Sequence, residues 1–277
     1  MIAAPFAALL AAGAVALGEH TNRRWLGFLP DDVPRSARKQ HHRPVPLAGV
    51  LLLPAVAPWL VASAAWWPLV ALTTATVLGF VDDRGKETGR ELGWRSKAVG
   101  LAVASAAGAA AVASPTLEPE AFALATLLVF VLANAINFLD NMNGVAAALT
   151  AVIALALAQR IGGPPWLASV GFAALGFLPF NWPSARVFLG DAGAYLFGVA
   201  VGIGAAGAAR HEPSALWCTA VPLADFVQVV IARTALGVPP WVGDRRHLTH
   251  IVHHLGAPRA AVAPLFAALA WLLTRIR

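Results

Sequence analysis

Charge and cysteine are both scarce in this sequence. Asp, Glu, Lys and Arg make up 12% of the 277 residues, about half the share found in typical soluble domains. The single cysteine, Cys218, lies in an apolar run, so the chain excludes an intramolecular disulfide. Apolar residues, in contrast, account for 58% of the chain, and the mean hydropathy is +0.68. This composition argues against a soluble globular domain and indicates a membrane protein.

The apolar residues recur in runs of about 17–20, the length that a helix needs to cross a bilayer. We therefore predict an all-α, polytopic integral membrane protein with a single transmembrane domain over residues 1–277. Several runs are rich in Ala and Gly, which favours close packing between helices. The ten predicted spans are 2–18, 45–62, 64–81, 98–114, 120–136, 143–160, 165–182, 192–209, 214–234 and 259–275.

The first span has the hydropathy of a signal peptide but not its charge pattern. No basic residue precedes it, whereas Arg23 and Arg24 follow it. An uncleaved first helix with its N-terminus outside is therefore expected.

The remaining basic residues predict the orientation of the other spans. All but four of the 20 Lys and Arg fall on one side of the predicted membrane. Because basic residues are retained in the cytoplasm, this side is predicted to be cytoplasmic and both termini extracytoplasmic. The same pattern explains the net charge of +6 without nucleic acid as a partner. A multi-pass protein of the plasma (inner) membrane is expected, with cytoplasmic loops at 19–44, 82–97, 137–142, 183–191 and 235–258.

Acidic residues stand out in two of these loops. Asp82 and Asp83 are adjacent at a helix exit, where they repel each other unless a cation or a basic side chain lies between them. Such a pair suits Mg²⁺ held partly by substrate phosphates, or a general base, although ordinary loop acids are an alternative. Asp191 falls at the start of the next predicted helix, a position that favours anions and also suits a simple N-cap. Basic residues near the pair are Arg84, Lys86, Arg95 and Lys97.

The polar stretch Asn134–Gly144 interrupts two apolar runs. Asn134, Asn137 and Asp140 are spaced three apart, so on a helix they share a face. That face suits a polar ligand or a cation, with hydrogen bonding between helices as the alternative.

Two further loops carry basic or imidazole groups. The loop around Lys39 is basic and can bind phosphate, or anchor the chain on anionic lipid. In the last loop His247, His250 and His254 share a helical face. Zinc is conceivable there, but no Cys is near, so contact with phosphate fits better. Asp225, inside the ninth predicted span, is expected to line a cavity or to pair structurally, Arg233 being eight residues on.

Together these groups fall on one membrane face and suit the handling of a diphosphate with Mg²⁺ beside a lipid substrate. Transporters tend to place ionisable residues nearer the midplane. In this order along the chain, the groups resemble those of the polyprenyl-phosphate N-acetylhexosamine-1-phosphate transferases, glycosyltransferase family 4. The resemblance covers nearly the whole chain. The matching motifs are Lys39-x-His41-x-x-Pro44-x-Pro46-x-x-Gly49, Gly79-x-x-Asp82-Asp83 with Lys97, Asn134-x-x-Asn137-x-x-Asp140, Phe180-Asn181-x-Pro183 with Val187-Phe188-x-Gly190-Asp191, and Asp244-x-x-His247-Leu-x-His250.

The resemblance implies transfer of a sugar-1-phosphate from a UDP-sugar to undecaprenyl phosphate, with release of UMP, to initiate a cell-wall or surface glycan. It implies catalytic roles for Asp82, Asp83 and Asp191. Asp191 and Asp83 would bind Mg²⁺, for which Mn²⁺ is an alternative, and the protein is either a monomer or a homodimer. The implied substrate-binding residues are Lys39, Lys97, Asn137, Asp140, Asn181, Phe188 (stacked on uracil), His247 and His250.

The sequence departs from the family pattern mainly in two places. Asn141 and Asn143 stand where Gly and Asp are usual, and Thr249 and Ile251 stand where His and Arg are usual. A shift in donor preference is expected there. Two alternatives remain: the phospho-N-acetylmuramoyl-pentapeptide transferase of the same family, whose His-His-His run fits less well, and a non-catalytic lipid-carrier binding or transport protein.

Overall fold

The computed structural model describes residues 3–21, 27–33, 43–113, 118–160 and 162–276. Across these ranges the chain is nearly all α-helical, as predicted. Short 3₁₀ segments at Gly49–Leu51 and Pro213–Thr219 lead into helices, and one two-residue antiparallel pair joins β1 (Asp31–Asp32) to β2 (Val45–Pro46). The helices are α1 Phe6–Thr21, α2 Leu52–Ala62, α3 Trp66–Thr88, α4 Trp94–Ala113, α5 Pro119–Leu139, α6 Val145–Arg160, α7 Pro165–Asn181, α8 Gly190–Ala209, α9 Ala220–Ala235, α10 Leu248–His254 and α11 Arg259–Leu273.

Each of the ten predicted apolar runs overlaps one of the longer helices. By length and composition, four segments of the described chain can cross a membrane: Trp94–Ala113, Pro119–Leu139, Gly190–Ala209 and Pro213–Ala235. Four shorter apolar helices accompany them: Phe6–Thr21, Gly49–Ala62, Val145–Arg160 and Arg259–Leu273. The coarse prediction of an apolar, helical membrane protein is therefore confirmed.

Helix α3 continues past the predicted end of its apolar run at residue 81. It reaches Thr88 and ends at Gly89, whose φ of +77° favours glycine. The extra turns are stabilised by helical ion pairs, since Lys86 Nζ lies 2.9 Å from Asp82 Oδ2. The prediction that Asp82 and Asp83 lie in a loop was therefore wrong. The helix continues beyond its apolar run because ion pairs between side chains one turn apart stabilise it.

Helix α8 lies at the centre of the bundle. It contacts α3, α4, α5, α6 and α7, and 89% of the residues in its most apolar stretch are buried. Glycines allow neighbouring backbones to approach: a Cβ at Gly198 would lie 2.5 Å from Ala133 Cα, and one at Gly202 would lie 2.7 Å from Val129 Cα. Such close packing without large side chains is typical of helices in membranes.

Other chain segments meet the N-terminal end of α8. A Cβ at Gly79 of α3 would clash with the backbone of Asp191 and Ala192. The Phe188 N–H donates to the Pro46 carbonyl at 2.9 Å, and the Ala48 N–H donates to the Phe188 carbonyl at 2.9 Å. These backbone contacts hold the acidic end of α3 and the loop before α8 in fixed positions.

Candidate functional site

An acidic cluster forms where the C-terminal end of α3 meets the start of α8. Lys86 Nζ lies 2.9 Å from Asp82 Oδ2, 3.7 Å from Asp83 Oδ1 and 2.8 Å from Asp191 Oδ2. The Asp82 and Asp83 carboxylates are buried, whereas Lys86 is half-buried. One ammonium group therefore joins the adjacent acids Asp82 and Asp83 to Asp191, which is distant in sequence.

Asp82 ties α3 to the start of α4. Its Oδ1 accepts a hydrogen bond from the Leu92 N–H at 2.8 Å, and its Oδ2 lies 3.1 Å from Lys97 Nζ. Lys97, predicted to bind substrate, is thus placed at the cluster, with Asp82 as its protein partner.

Asp83 caps helix α8 from another helix. Its Oδ1 accepts from the Asp191 N–H at 3.0 Å, and its Oδ2 accepts from the Ala192 N–H at 3.1 Å. The residue before α8, Leu189, makes no side-chain cap. Since Asp83 satisfies these N–H groups, the simple N-cap interpretation of Asp191 is not supported, and the Asp191 carboxylate contacts side chains instead.

Two residues of the Asn134–Gly144 stretch reach the same point. Asn137 Nδ2 donates to Asp191 Oδ1 at 3.1 Å. The Asp140 carboxylate lies near the backbone N–H of Gly190, the first residue of α8. Asn134 does not join them, because its Nδ2 donates to the Phe130 carbonyl of its own helix at 2.8 Å. Two of the three spaced residues therefore contribute to the cluster.

With all four carboxylates ionised, the cluster would carry a net negative charge, because only Lys86 and Lys97 oppose them. Burial raises the pKa of Asp83, and the negative charge of Asp191 raises it further while Lys86 opposes the change. Burial also raises the pKa of Asp140. Burial alone would lower the pKa of Lys86, but the surrounding carboxylates outweigh it and raise that pKa, so the amine stays charged. An added cation would relieve the remaining repulsion.

The donor atoms suit Mg²⁺, which prefers oxygen ligands and usually takes one or two carboxylates together with water and phosphate. Asp191 is the better placed acid, since its oxygens contact side chains, among them Lys86 and Asn137, whereas both Asp83 oxygens accept backbone N–H groups. Within the described ranges, no group of three or more His, Cys, Asp or Glu side chains is arranged as a metal site. One or two acids with substrate phosphates are therefore the arrangement that fits.

Asn181 connects the loop before α8 to the Asn134–Gly144 stretch. Its side chain is buried, with Oδ1 accepting from the Gly144 N–H at 2.7 Å and Nδ2 donating to the Val187 carbonyl at 3.0 Å. Gly144 has φ of +79° and lies against the Trp182 ring, so glycine is required there. Phe188, in the same loop, is half-buried and held by its backbone.

The histidine loop lies against this stretch. Thr249 Oγ1 donates to Asn141 Oδ1 at 2.6 Å, and the His247 ring meets the Phe138 ring edge-on at 5.7 Å between centroids. His250 is buried, and its ring centroid is 6.4 Å from that of His247. Burial first, and then the charge of His247, lower the pKa of His250 to about 4, so it is neutral at pH 7.

Two buried charges of α9 have partners in the loop that follows this helix. Asp225 pairs with His247, whose Nδ1 lies 2.8 Å from Asp225 Oδ2. Arg233 instead lies 3.1 Å from Asp244 and stacks over the Phe138 ring at 4.8 Å. The expectation of structural pairing for Asp225 is met, but by an imidazole and not by Arg233.

Lys86 and Asp225 carry contacts that the sequence motifs did not assign to the site. Lys86 is four residues after Asp82, a signal that becomes visible once the helix is extended to Thr88. Lys39, predicted to bind substrate, lies outside the described residues.

The fold is an apolar helical bundle that carries, at one end, a cluster of acids bridged by lysines. This combination is the one expected of a membrane protein that handles phosphate groups with a cation. The sequence profile of glycosyl transferase family 4 matches residues 65–207, just over half of the chain. The chain therefore belongs to glycosyl transferase family 4, and the predicted family is confirmed.

Individual relatives point the same way. The chain is 34% identical over 244 residues to a Streptomyces coelicolor protein named as a glycosyltransferase, covering 79% of this chain and 57% of that protein. It is 28% identical over 228 residues to the decaprenyl-phosphate N-acetylglucosaminephosphotransferase of Mycobacterium leprae, covering 68% and 57%. It is 29% identical over 176 residues to the undecaprenyl-phosphate alpha-N-acetylglucosaminyl 1-phosphate transferase of Escherichia coli, covering 58% and 48%. The chain thus spans about half the length of the curated relatives it matches.

Proposed function

We propose that this protein transfers a sugar-1-phosphate, N-acetylhexosamine-1-phosphate, from a UDP-sugar to undecaprenyl phosphate and releases UMP. The observation that carries the proposal is the cluster of Asp82, Asp83 and Asp191 around Lys86, assembled from α3 and α8. The names of the relatives, which refer to polyprenyl phosphates and N-acetylglucosamine, support the lipid acceptor and the sugar. They favour this donor over the muramoyl-pentapeptide.

We also propose that ten helices span the plasma membrane, with both termini extracytoplasmic and the site facing the cytoplasm. The distribution of Lys and Arg supports this orientation. The same side of the membrane is predicted for the end of α3, the start of α8 and the loop that contains His247 and His250. Whether the chain is a monomer or a homodimer is to be measured by light scattering in detergent.

In the proposed reaction, an oxygen of the lipid phosphate attacks the phosphorus that is bonded to the sugar. The bond from this phosphorus to the bridging oxygen breaks, and UMP leaves with that oxygen and the electron pair. Such transfers depend on positioning and on neutralising charge. Mg²⁺, when bound, supplies part of that neutralisation. Asp191 is the proposed Mg²⁺ ligand, with Asp83 contributing, and Mn²⁺ is the alternative ion.

The protein groups have separate proposed tasks. Lys86 and Lys97 place positive charge beside the phosphates, and Asn137 orients the Asp191 carboxylate. The proposed nucleotide contacts are Lys39, Asn181, Phe188 and Asp140, with Phe188 stacking on uracil. His247 and His250 are proposed to contact phosphate or sugar.

The test is release of UMP by the purified protein, given undecaprenyl phosphate, Mg²⁺ and a panel of UDP-sugars that includes UDP-N-acetylmuramoyl-pentapeptide. We expect turnover with a UDP-N-acetylhexosamine and its loss on addition of a chelator. No release with any donor refutes the proposed function. Turnover with the pentapeptide donor alone selects the muramoyl alternative.

A matched pair of variants tests the role of Asp191. Asp191→Asn keeps the shape of the side chain and is expected to abolish turnover. Glu87→Gln makes the same chemical change on α3, where Glu87 pairs with Arg84 at the surface, and is expected to keep it. Normal turnover by Asp191→Asn removes this residue from the metal role.

A further inference from the structure

Asp225 binds one short segment with both of its carboxylate oxygens. Its side chain is fully buried in α9. Oδ2 lies 2.8 Å from His247 Nδ1, and Oδ1 accepts from the Leu248 N–H at 2.7 Å. The carboxylate therefore fixes both the backbone where α10 begins and the ring of the residue before it.

This contact decides which ring nitrogen of His247 carries hydrogen. A carboxylate only accepts hydrogen bonds, so Nδ1 must be the N–H donor toward Asp225. Nε2 is then the nitrogen left for another group. Within the described part of the chain it has no hydrogen-bond partner, since the other contacts of the ring are the stacking neighbours Phe138 and His250.

The ring is linked to the acidic cluster through two consecutive residues of the chain, Phe138 and Asn137. Phe138, which meets the His247 ring edge-on, directly follows Asn137, and Asn137 donates to the Asp191 carboxylate. The His247 ring therefore packs on the residue next to the one that donates to Asp191.

A purely structural tie between α9 and α10 does not need a carboxylate. An asparagine at position 225 keeps the length of the side chain and can still accept from the Leu248 N–H. Its amide NH₂, however, would donate to His247 Nδ1 and move the ring hydrogen to Nε2. Only the acid holds Nε2 as the nitrogen without the hydrogen in the neutral ring.

We propose that Asp225 is a positioning residue that holds His247 in the Nδ1–H form, so that Nε2 accepts a hydrogen bond from a hydroxyl or amide N–H of the donor sugar. This inference rests on the proposed sugar-1-phosphate transfer for its consequence, but its geometric part can be measured without turnover. Asp225 itself touches no substrate.

The experiment compares Asp225→Asn and Asp225→Glu with the wild type and with Thr234→Val, a control on the exposed face of the same helix. The protein is labelled with ¹⁵N-histidine in detergent, and a His247→Gln spectrum identifies the ring signals. We expect Nδ1–H in the wild type and Nε2–H in Asp225→Asn. Donor kcat/KM should fall about 10–100-fold in Asp225→Asn, the range seen when the carboxylate behind a metal-bound histidine is removed, and the lipid-phosphate KM should stay within about twofold.

The two variants at position 225, one neutral and one acidic, separate positioning from packing. If the charge matters, Asp225→Glu is more active than Asp225→Asn, although glutamate fits the buried space less well. If packing alone matters, Asp225→Asn is the more active, and the inference is overturned. The inference is also overturned if folded Asp225→Asn gives the same His247 ¹⁵N signals as the wild type, even where activity falls. Should Asp225→Glu fail to fold, the ring signals of Asp225→Asn still decide. Absence of wild-type turnover would refute the proposed function alone, because the ring signals are read independently.

Discussion

Removing the Asp83 carboxylate should destabilise the protein, because this acid caps α8 across a helix interface. Asp83→Ala leaves the N–H groups of Asp191 and Ala192 without their acceptor. A buried unsatisfied donor costs about 1–3 kcal/mol, so two of them cost about 2–6 kcal/mol. Relief of the repulsion between Asp83 and Asp191 offsets part of this loss. Asp83→Asn keeps one acceptor oxygen and should lose roughly 1–3 kcal/mol.

Thermal unfolding in detergent measures this effect, and Cys218 supplies the probe. It is buried and is the only cysteine of the chain, so a thiol-reactive dye reports when the fold opens. The unfolding temperature should fall most for Asp83→Ala, less for Asp83→Asn, and hardly for Asp191→Asn, because the Asp191 carboxylate contacts only side chains. Equal losses in Asp83→Asn and Asp191→Asn, or a wild-type unfolding temperature in Asp83→Ala, would refute the capping role.

Two further predictions concern the histidine loop. Thr249→Val and Asn141→Ala each break the 2.6 Å hydrogen bond between α10 and the preceding stretch, so a double-mutant cycle on donor KM should show non-additive effects, and additive ones would show that the bond has no influence there. The pKa of His250, lowered to about 4 by burial, lies below its value in the unfolded chain. The unfolded state therefore binds more protons than the folded state between about pH 4 and 6.5. As a result, the free energy of unfolding falls as the pH decreases through this window. His250→Gln should reduce that part of the pH dependence in thermal unfolding, while an unchanged slope contradicts the prediction.

The helices were predictable because a long apolar run in lipid satisfies its backbone hydrogen bonds within itself by forming a helix. The end of α3 was not, since hydropathy stops at residue 81 while ion pairs such as Asp82–Lys86 continue the helix. Cross-helix contacts were also hidden. The cap that Asp83 gives to α8 comes from a residue 108 positions away, which no local spacing reveals.

The pairing of Asp225 is a second case in which spacing along the sequence did not predict the partner. Spacing along one helix points to Arg233, eight residues on, as its partner. In the fold, the loop after α9 returns to the helix and brings His247 to Asp225, whereas Arg233 is taken by Asp244. Helical periodicity predicts which residues share a face, but the partner that faces them depends on the loop path.

The stretch Asn134–Gly144 admitted two interpretations, hydrogen bonding between helices or a ligand site, and the contacts show the hydrogen bonding. Asn137 binds the Asp191 carboxylate, Asn141 binds Thr249, and the Gly144 N–H binds Asn181. Each bond between segments ends on a residue of the acidic cluster or of the loops beside it. Asn141 and Thr249 both depart from the usual family pattern, and they contact each other. A change in one residue therefore alters the contact of the other through a single hydrogen bond, and the double-mutant cycle above measures whether that contact influences the donor.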